Sequence, residues 1–182
     1  MQTHDTRQQF EAVLGSCRRL FEQKLHDYGT AWRVMSPPTL TDQLYIKAAR
    51  IRTLLRTGEA KVDEGITPEF TAIVNYSLIA LIQLSLPLAD TEDLEPEKAL
   101  ELYDERADKA LKLMLAKNHD YGEAWRAMRV ASLADIIMMK IFRTKQIEDL
   151  DGATLVSEGV AANYMDMMNY AIFALIKLGG GE

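Results

Sequence analysis

The chain has 182 residues, 48% of them apolar and 26% charged, with a formal net charge of −6. That composition is ordinary for a globular protein of one or two domains. The acidic balance excludes a binder of duplex nucleic acid, which needs a basic surface to displace counterions.

The N-terminus is polar and charged, and no apolar run approaches the ~18–20 residues of a membrane span. The expectation is a cytoplasmic protein with no leader peptide and no membrane contact. The single cysteine, Cys17, cannot form an internal disulfide and reads as a small, inert helix residue. Periodicity is helical almost throughout, and no segment reads as a strand. A first helix covers about 6–27, with Phe10, Val13, Leu14, Cys17, Leu20, Phe21 and Leu25 on one stripe. Gly29 is placed as its stop. Residues 32–38 read as a loop, because Ser36-Pro37-Pro38 forbids a continuous helix. A second helix covers 40–57 and ends at Gly58, and 59–66 form a polar connection. Thr67-Pro68-Glu69 starts a third helix with a cap, a proline and an acid in its first turn. It runs to about 86. The acidic stretch 87–95 is a linker. Pro96 opens helices of about 96–119, 132–147 and 156–178, and 179–182 form a frayed tail.

The last three helices repeat the first three. Residues 24–50 and 117–143 align without a gap, 93 positions apart, with 13 of 27 positions identical; chance gives about one or two. The identities include Lys24/Lys117, His26/His119, Asp27/Asp120, Tyr28/Tyr121, Gly29/Gly122, Trp32/Trp125, Arg33/Arg126, Asp42/Asp135, Lys47/Lys140 and Arg50/Arg143. After one inserted residue the offset becomes 94, pairing Glu64 with Glu158, Asn75 with Asn169 and Tyr76 with Tyr170. The predicted fold is all-α: two tandem three-helix repeats, 1–88 and 96–178, packed with pseudo-two-fold symmetry around a shared helical-bundle core as one compact unit. Such an internal pseudo-dimer suits a functional monomer or a homodimer.

Many shared residues are polar. On the last helix, Met165, Met167, Met168, Ala171, Ile172 and Leu175 occupy one arc, and Glu158, Asn163, Asp166, Asn169 and Tyr170 the other. Either a solvated face or a binding face fits that second arc. In 135–143 apolar residues surround the helix almost completely, which predicts burial, so Asp135, Lys140 and Arg143 need partners or a ligand. Caps and ion pairs would serve, as would a bound anion. Asp27 and Asp120 lie at helix C-termini, where the dipole disfavours anions. Carboxylates suit Mg²⁺ or Mn²⁺, and Lys and Arg suit phosphate oxygens. Together they fit hydrolysis of a phosphoanhydride by a metal-activated water. They also fit a non-catalytic nucleotide sensor or scaffold, or purely structural ion pairs.

The twice-repeated K-x-H-D-Y-G-x-A-W, then L-x-D-x4-K-x2-R, then E and N-Y resembles the nucleotide modification associated domain 1 family over nearly the whole chain. The resemblance implies a role in nucleotide metabolism or base modification. The acidic helices are also similar to those of the all-α nucleoside triphosphate pyrophosphohydrolases (MazG-like and dimeric dUTPase-like), which hold Mg²⁺ on helix-borne Glu and Asp. Their ExxE and ExxD pairs are absent, since Glu158 and Asp166 stand eight apart. On this reading Glu158, Asp166 and Asp135 are the catalytic and metal-holding candidates. Lys117, Lys140 and Arg143, with Arg126, contact phosphate. Asn169 and Tyr170 orient the substrate, and His119 and Asp120 complete the edge. The first-repeat counterparts are Lys24, His26, Asp27, Arg33, Asp42, Lys47, Arg50, Asn75 and Tyr76. The copies differ at two places, Asp166 against Ala72 and Asn163 against Glu69, which favours the second repeat as the active one.

Overall fold

Prolines and glycines set most of the helix borders. In the computed structural model, which describes residues 5–58, 65–155 and 159–180, the helices are α1 Thr6–Tyr28, α2 Pro37–Thr57, α3 Thr67–Ser85, α4 Pro96–Tyr121, α5 Val130–Asp149 and α6 Val160–Lys177. A 3₁₀ turn follows α1 at Ala31–Val34 and another follows α4 at Ala124–Ala127. The reading of 32–38 as loop is therefore too long. Ser36 caps α2 by accepting from the Thr39 N–H, and Pro37 and Pro38 fill the first turn, where no N–H is required. Gly29 and Gly122 end α1 and α4 with φ of 58° and 60°, a region that costs a side-chain-bearing residue strain. The expected frayed tail is also corrected in part. Gly179 and Gly180 donate to the carbonyls of Ile176 and Leu175 and close α6.

α2, α3, α6 and α5 pack in that order around a ring, each against the next, and form a four-helix bundle. α1 and α4 lie outside it, each against both α3 and α6, and meet each other. One hydrophobic cluster draws on all six helices, from Phe10 and Phe21 through Leu44, Ile73, Tyr103 and Ile137 to Ile172. At roughly 1.5–3 kcal/mol per fully buried large side chain, this shared core couples the two repeats.

The pseudo-two-fold relation is visible in single contacts. Asp42 of α2 meets Lys145 of α5 at 2.8 Å, and Asp135 of α5 meets Arg52 of α2 at 3.1 Å. Lys145 is the repeat counterpart of Arg52, so the contact is reciprocal, as at a dimer dyad. Buried Asn75 donates to the Cys17 carbonyl at 3.1 Å, and Asn169 donates to the Ala110 carbonyl at 3.1 Å, the matching place on α4. α5 is not buried all round as its sequence predicts. Asp135, Met139, Phe142 and Arg143 are exposed, because a bundle helix is covered by its neighbours on one side only. Among the described residues, no helix is long and apolar enough to cross a membrane.

Candidate functional site

In the second repeat the end of the first helix, the middle of the second and the start of the third converge; in the first, the second and third helices do. In the second repeat Asp166 stands on α6 with its side chain only 12% exposed. Lys117 of α4 donates to its Oδ1 at 2.8 Å, and Lys140 of α5 donates to its Oδ2 at 2.9 Å. One turn along α6, Tyr170 is half-buried. Burial, and then the Asp166 charge, push its phenol above the usual range; Lys117 opposes this and Tyr121 adds to it. Lys117, Tyr121, Lys140, Asp166 and Tyr170 thus form one neighbourhood. Arg143, one turn beyond Lys140, is exposed and has no ion pair among the described residues. Asn163, one turn before Asp166, is 6% exposed, and its Nδ2 has no hydrogen-bond partner among them.

The first repeat has the same cations and a displaced acid. Glu69 of α3, 6% exposed at its side chain, accepts from Arg50 at 2.7 Å and lies 3.6 Å from Lys47. Glu69 is the counterpart of Asn163, and Ala72 the counterpart of Asp166, so the carboxylate sits one helical turn earlier. Lys24, whose counterpart Lys117 meets Asp166, is exposed and makes no ion pair among the described residues. Each repeat therefore sets two cations on one described, largely buried carboxylate, in a chain whose net charge is −6.

The His-Asp-Tyr ends face solvent. His26 and His119 approach the neighbouring Asp27 and Asp120 at 3.1 and 3.2 Å. Tyr28 and Tyr121 are 66% and 74% exposed. Packing does not require these side chains, yet both copies retain them.

Other expected site residues are placed elsewhere. Asp135 is 65% exposed at its side chain and turned to Arg52, about 140° around α5 from Lys140; it is not brought together with Asp166. Asp42 likewise faces Lys145. Arg33 is buried: it donates to Asp93 at 2.8 Å, to the Pro87 carbonyl at 2.7 Å and to the Gln83 side chain, which fastens the inter-repeat linker. That contact holds the Asp93 carboxyl below its usual range. Arg126 lies over Trp125 and donates to Thr6 and Gln9 of α1. Asn75 and Asn169 hold helix carbonyls as described above, and Tyr76 is half-buried. Glu158, like Glu64, lies outside the described residues. No group of three His, Cys, Asp or Glu able to hold a metal occurs among the described residues. Both Asp166 oxygens are taken by ammonium groups, so the described part of the site fits an anion and not a bare divalent cation.

Three features were not singled out from the sequence as site residues. Tyr28 and Tyr121 lie inside the identical block and carried the signal of identity without an obvious packing role. Glu69 and Asn163 were visible as a difference between copies, but only the fold puts Glu69 beside Arg50 and shows the Asn163 amide buried. A third feature is a network joining the repeats: Thr41, Tyr164 and Glu148 share hydrogen bonds of 2.6–3.2 Å. Its residues have no identical counterparts, so the repeat did not reveal it. Burial pushes the Glu148 carboxyl up, against the two hydroxyl donors.

Comparison with known proteins adds one finding. The family model described as nucleotide modification associated domain 1 matches residues 24–84 and again residues 117–178. No curated protein and no solved structure matches the chain.

Proposed function

The chain belongs to the nucleotide modification associated domain 1 family, whose domain it carries twice, and from that premise we propose that it binds a nucleotide by its phosphates at the second repeat. One observation carries the reading: Lys117 and Lys140 both reach one described carboxylate, Asp166, while Arg143, one turn beyond Lys140, has no ion pair and the buried Asn163 amide no hydrogen-bond partner among the described residues. A guanidinium, two ammonium groups and an amide N–H are the donors a phosphate chain takes. Tyr121 and His119 at the rim offer faces on which a base can stack. Mg²⁺ or Mn²⁺ then enters as the companion of the phosphates, and the setting is the cytoplasm.

Binding without turnover is favoured over pyrophosphohydrolysis, because Asp135 faces α2 and Asp166 is bridged by lysines. Calorimetric titration with nucleoside mono-, di- and triphosphates, with and without Mg²⁺, tests the reading, with pyrophosphate release followed in the same samples. Saturable binding that Arg143→Ala weakens at least tenfold is the expected result. Release of pyrophosphate that stops in Asp166→Ala would restore the hydrolase. Absence of binding to every nucleotide would sink both.

A further inference from the structure

The two repeats differ at one shared position, and the difference sets their ligand chemistry apart. Position 69 of α3 and position 163 of α6 coincide under the repeat. Both side chains are buried, and each leaves one polar atom without a hydrogen-bond partner among the described residues: Oε2 of Glu69, an acceptor, and Nδ2 of Asn163, a donor. Arg50 bonds Glu69 at 2.7 Å with Lys47 at 3.6 Å. Arg143, the counterpart of Arg50, has an amide and not a carboxylate at the matching position, and makes no ion pair among the described residues. To a guanidinium, a carboxylate and a phosphate present similar paired anionic acceptors.

We infer that Glu69 is a built-in anion occupying the first repeat's phosphate subsite, so that the chain binds one nucleotide and not two. The inference rests on the phosphate-binding reading of the second repeat. In the first repeat the cradle is closed from inside: Arg50 bonds Oε1 and Lys47 stands beside Oε2, so both cations are engaged by a carboxylate that repels phosphate oxygen. Lys24 alone, exposed and without a buried donor beside it, does not make a cradle. In the second repeat the acid has moved one turn to Asp166, where it engages Lys117 and Lys140 and leaves Arg143 and Asn163 to the ligand. Exchange of two side chains should therefore move the site.

The experiment is calorimetric titration of the full chain with ATP and with inorganic pyrophosphate, for the wild type, Glu69→Asn and Asn163→Glu, each checked for a cooperative melt. The wild type should bind one ligand per chain and Glu69→Asn two. Asn163→Glu should bind at least tenfold more weakly, since its new carboxylate engages Arg143 as Glu69 engages Arg50. Two ligands on the wild type, or one on a folded Glu69→Asn, overturns the inference and leaves the second-repeat reading standing. Binding by Glu69→Asn but not by the wild type supports the built-in anion and removes that reading. Binding by neither overturns both. Should Glu69→Asn fail to fold, Asn163→Glu decides: unchanged affinity overturns the inference.

Discussion

Tyr103→Phe is a one-atom deletion whose effect the opposite repeat already illustrates. Tyr103 is fully buried on α4, and its hydroxyl donates to Asn75 Oδ1 at 2.8 Å. Its ring stacks on Phe21 with centroids 4.5 Å apart, so phenylalanine keeps the packing. Its repeat counterpart is Phe10, and Asn169, the counterpart of Asn75, has an Oδ1 without a partner among the described residues. The missing hydroxyl accounts for the missing bond. A buried acceptor left unpaired costs about 1–3 kcal/mol, against about 0.5–1.5 kcal/mol of net gain for the bond itself. Tyr103→Phe should thus fold and lose about 1–3 kcal/mol, a fall in Tm of roughly 2–4 °C for each kcal/mol in a domain of this size. Phe10→Tyr should recover about 1 kcal/mol if the hydroxyl is accommodated, and the double exchange should come close to the wild type. Urea unfolding followed by circular dichroism gives all three values. A Tyr103→Phe cost below ~0.5 kcal/mol, together with a Phe10→Tyr that destabilises, would refute the argument from symmetry.

Asp135→Asn should change stability by less than about 1 kcal/mol in the same assay, because its pair with Arg52 is largely exposed; a loss of several kcal/mol would mean the pair is not solvated. Arg33→Ala removes a buried guanidinium and strands Gln83 and the Pro87 carbonyl. It should cost about 3 kcal/mol or more and open residues 87–95 to limited proteolysis, which the wild type resists. Burial pushes the Cys17 thiol up to about 12. Above pH 9 the unfolded chain releases a proton the folded chain keeps, so this contribution to stability is present below pH 9 and falls towards pH 12, by at most about 1.4 kcal/mol per pH unit. Cys17→Ala should flatten that part of the pH profile, and the thiol should react with iodoacetamide only when the chain unfolds; prompt native labelling would contradict the burial.

The helices and their tandem order were legible because apolar period and punctuation agree: Gly58 and Gly122 fall where the helices end, and Pro68 and Pro96 where they begin. The Pro37-Pro38 border was misplaced by one turn because proline was read as a breaker, and not as the opening residue that the Ser36 cap makes it. The site was legible as a list and not as a set. The internal repeat shows that Lys117, Lys140 and Asp135 are all kept, but not that Lys140 turns to α6 and Asp135 to α2, which depends on where the neighbouring helices lie. Asn169 read as a ligand residue because an asparagine on a helix is usually near solvent; its actual partner, a carbonyl of the adjacent helix, is a backbone atom and leaves no trace in sequence.

The reciprocal contacts Asp42–Lys145 and Arg52–Asp135 are those two identical subunits would make across a dyad. In such a pair each substitution arrives twice, so an acid that plugs one cradle plugs both. On a single chain the two positions are inherited independently. On the proposed reading, one half is given over to holding shape while the other keeps its cradle open, and loss of a site in the first does not abolish the site in the second.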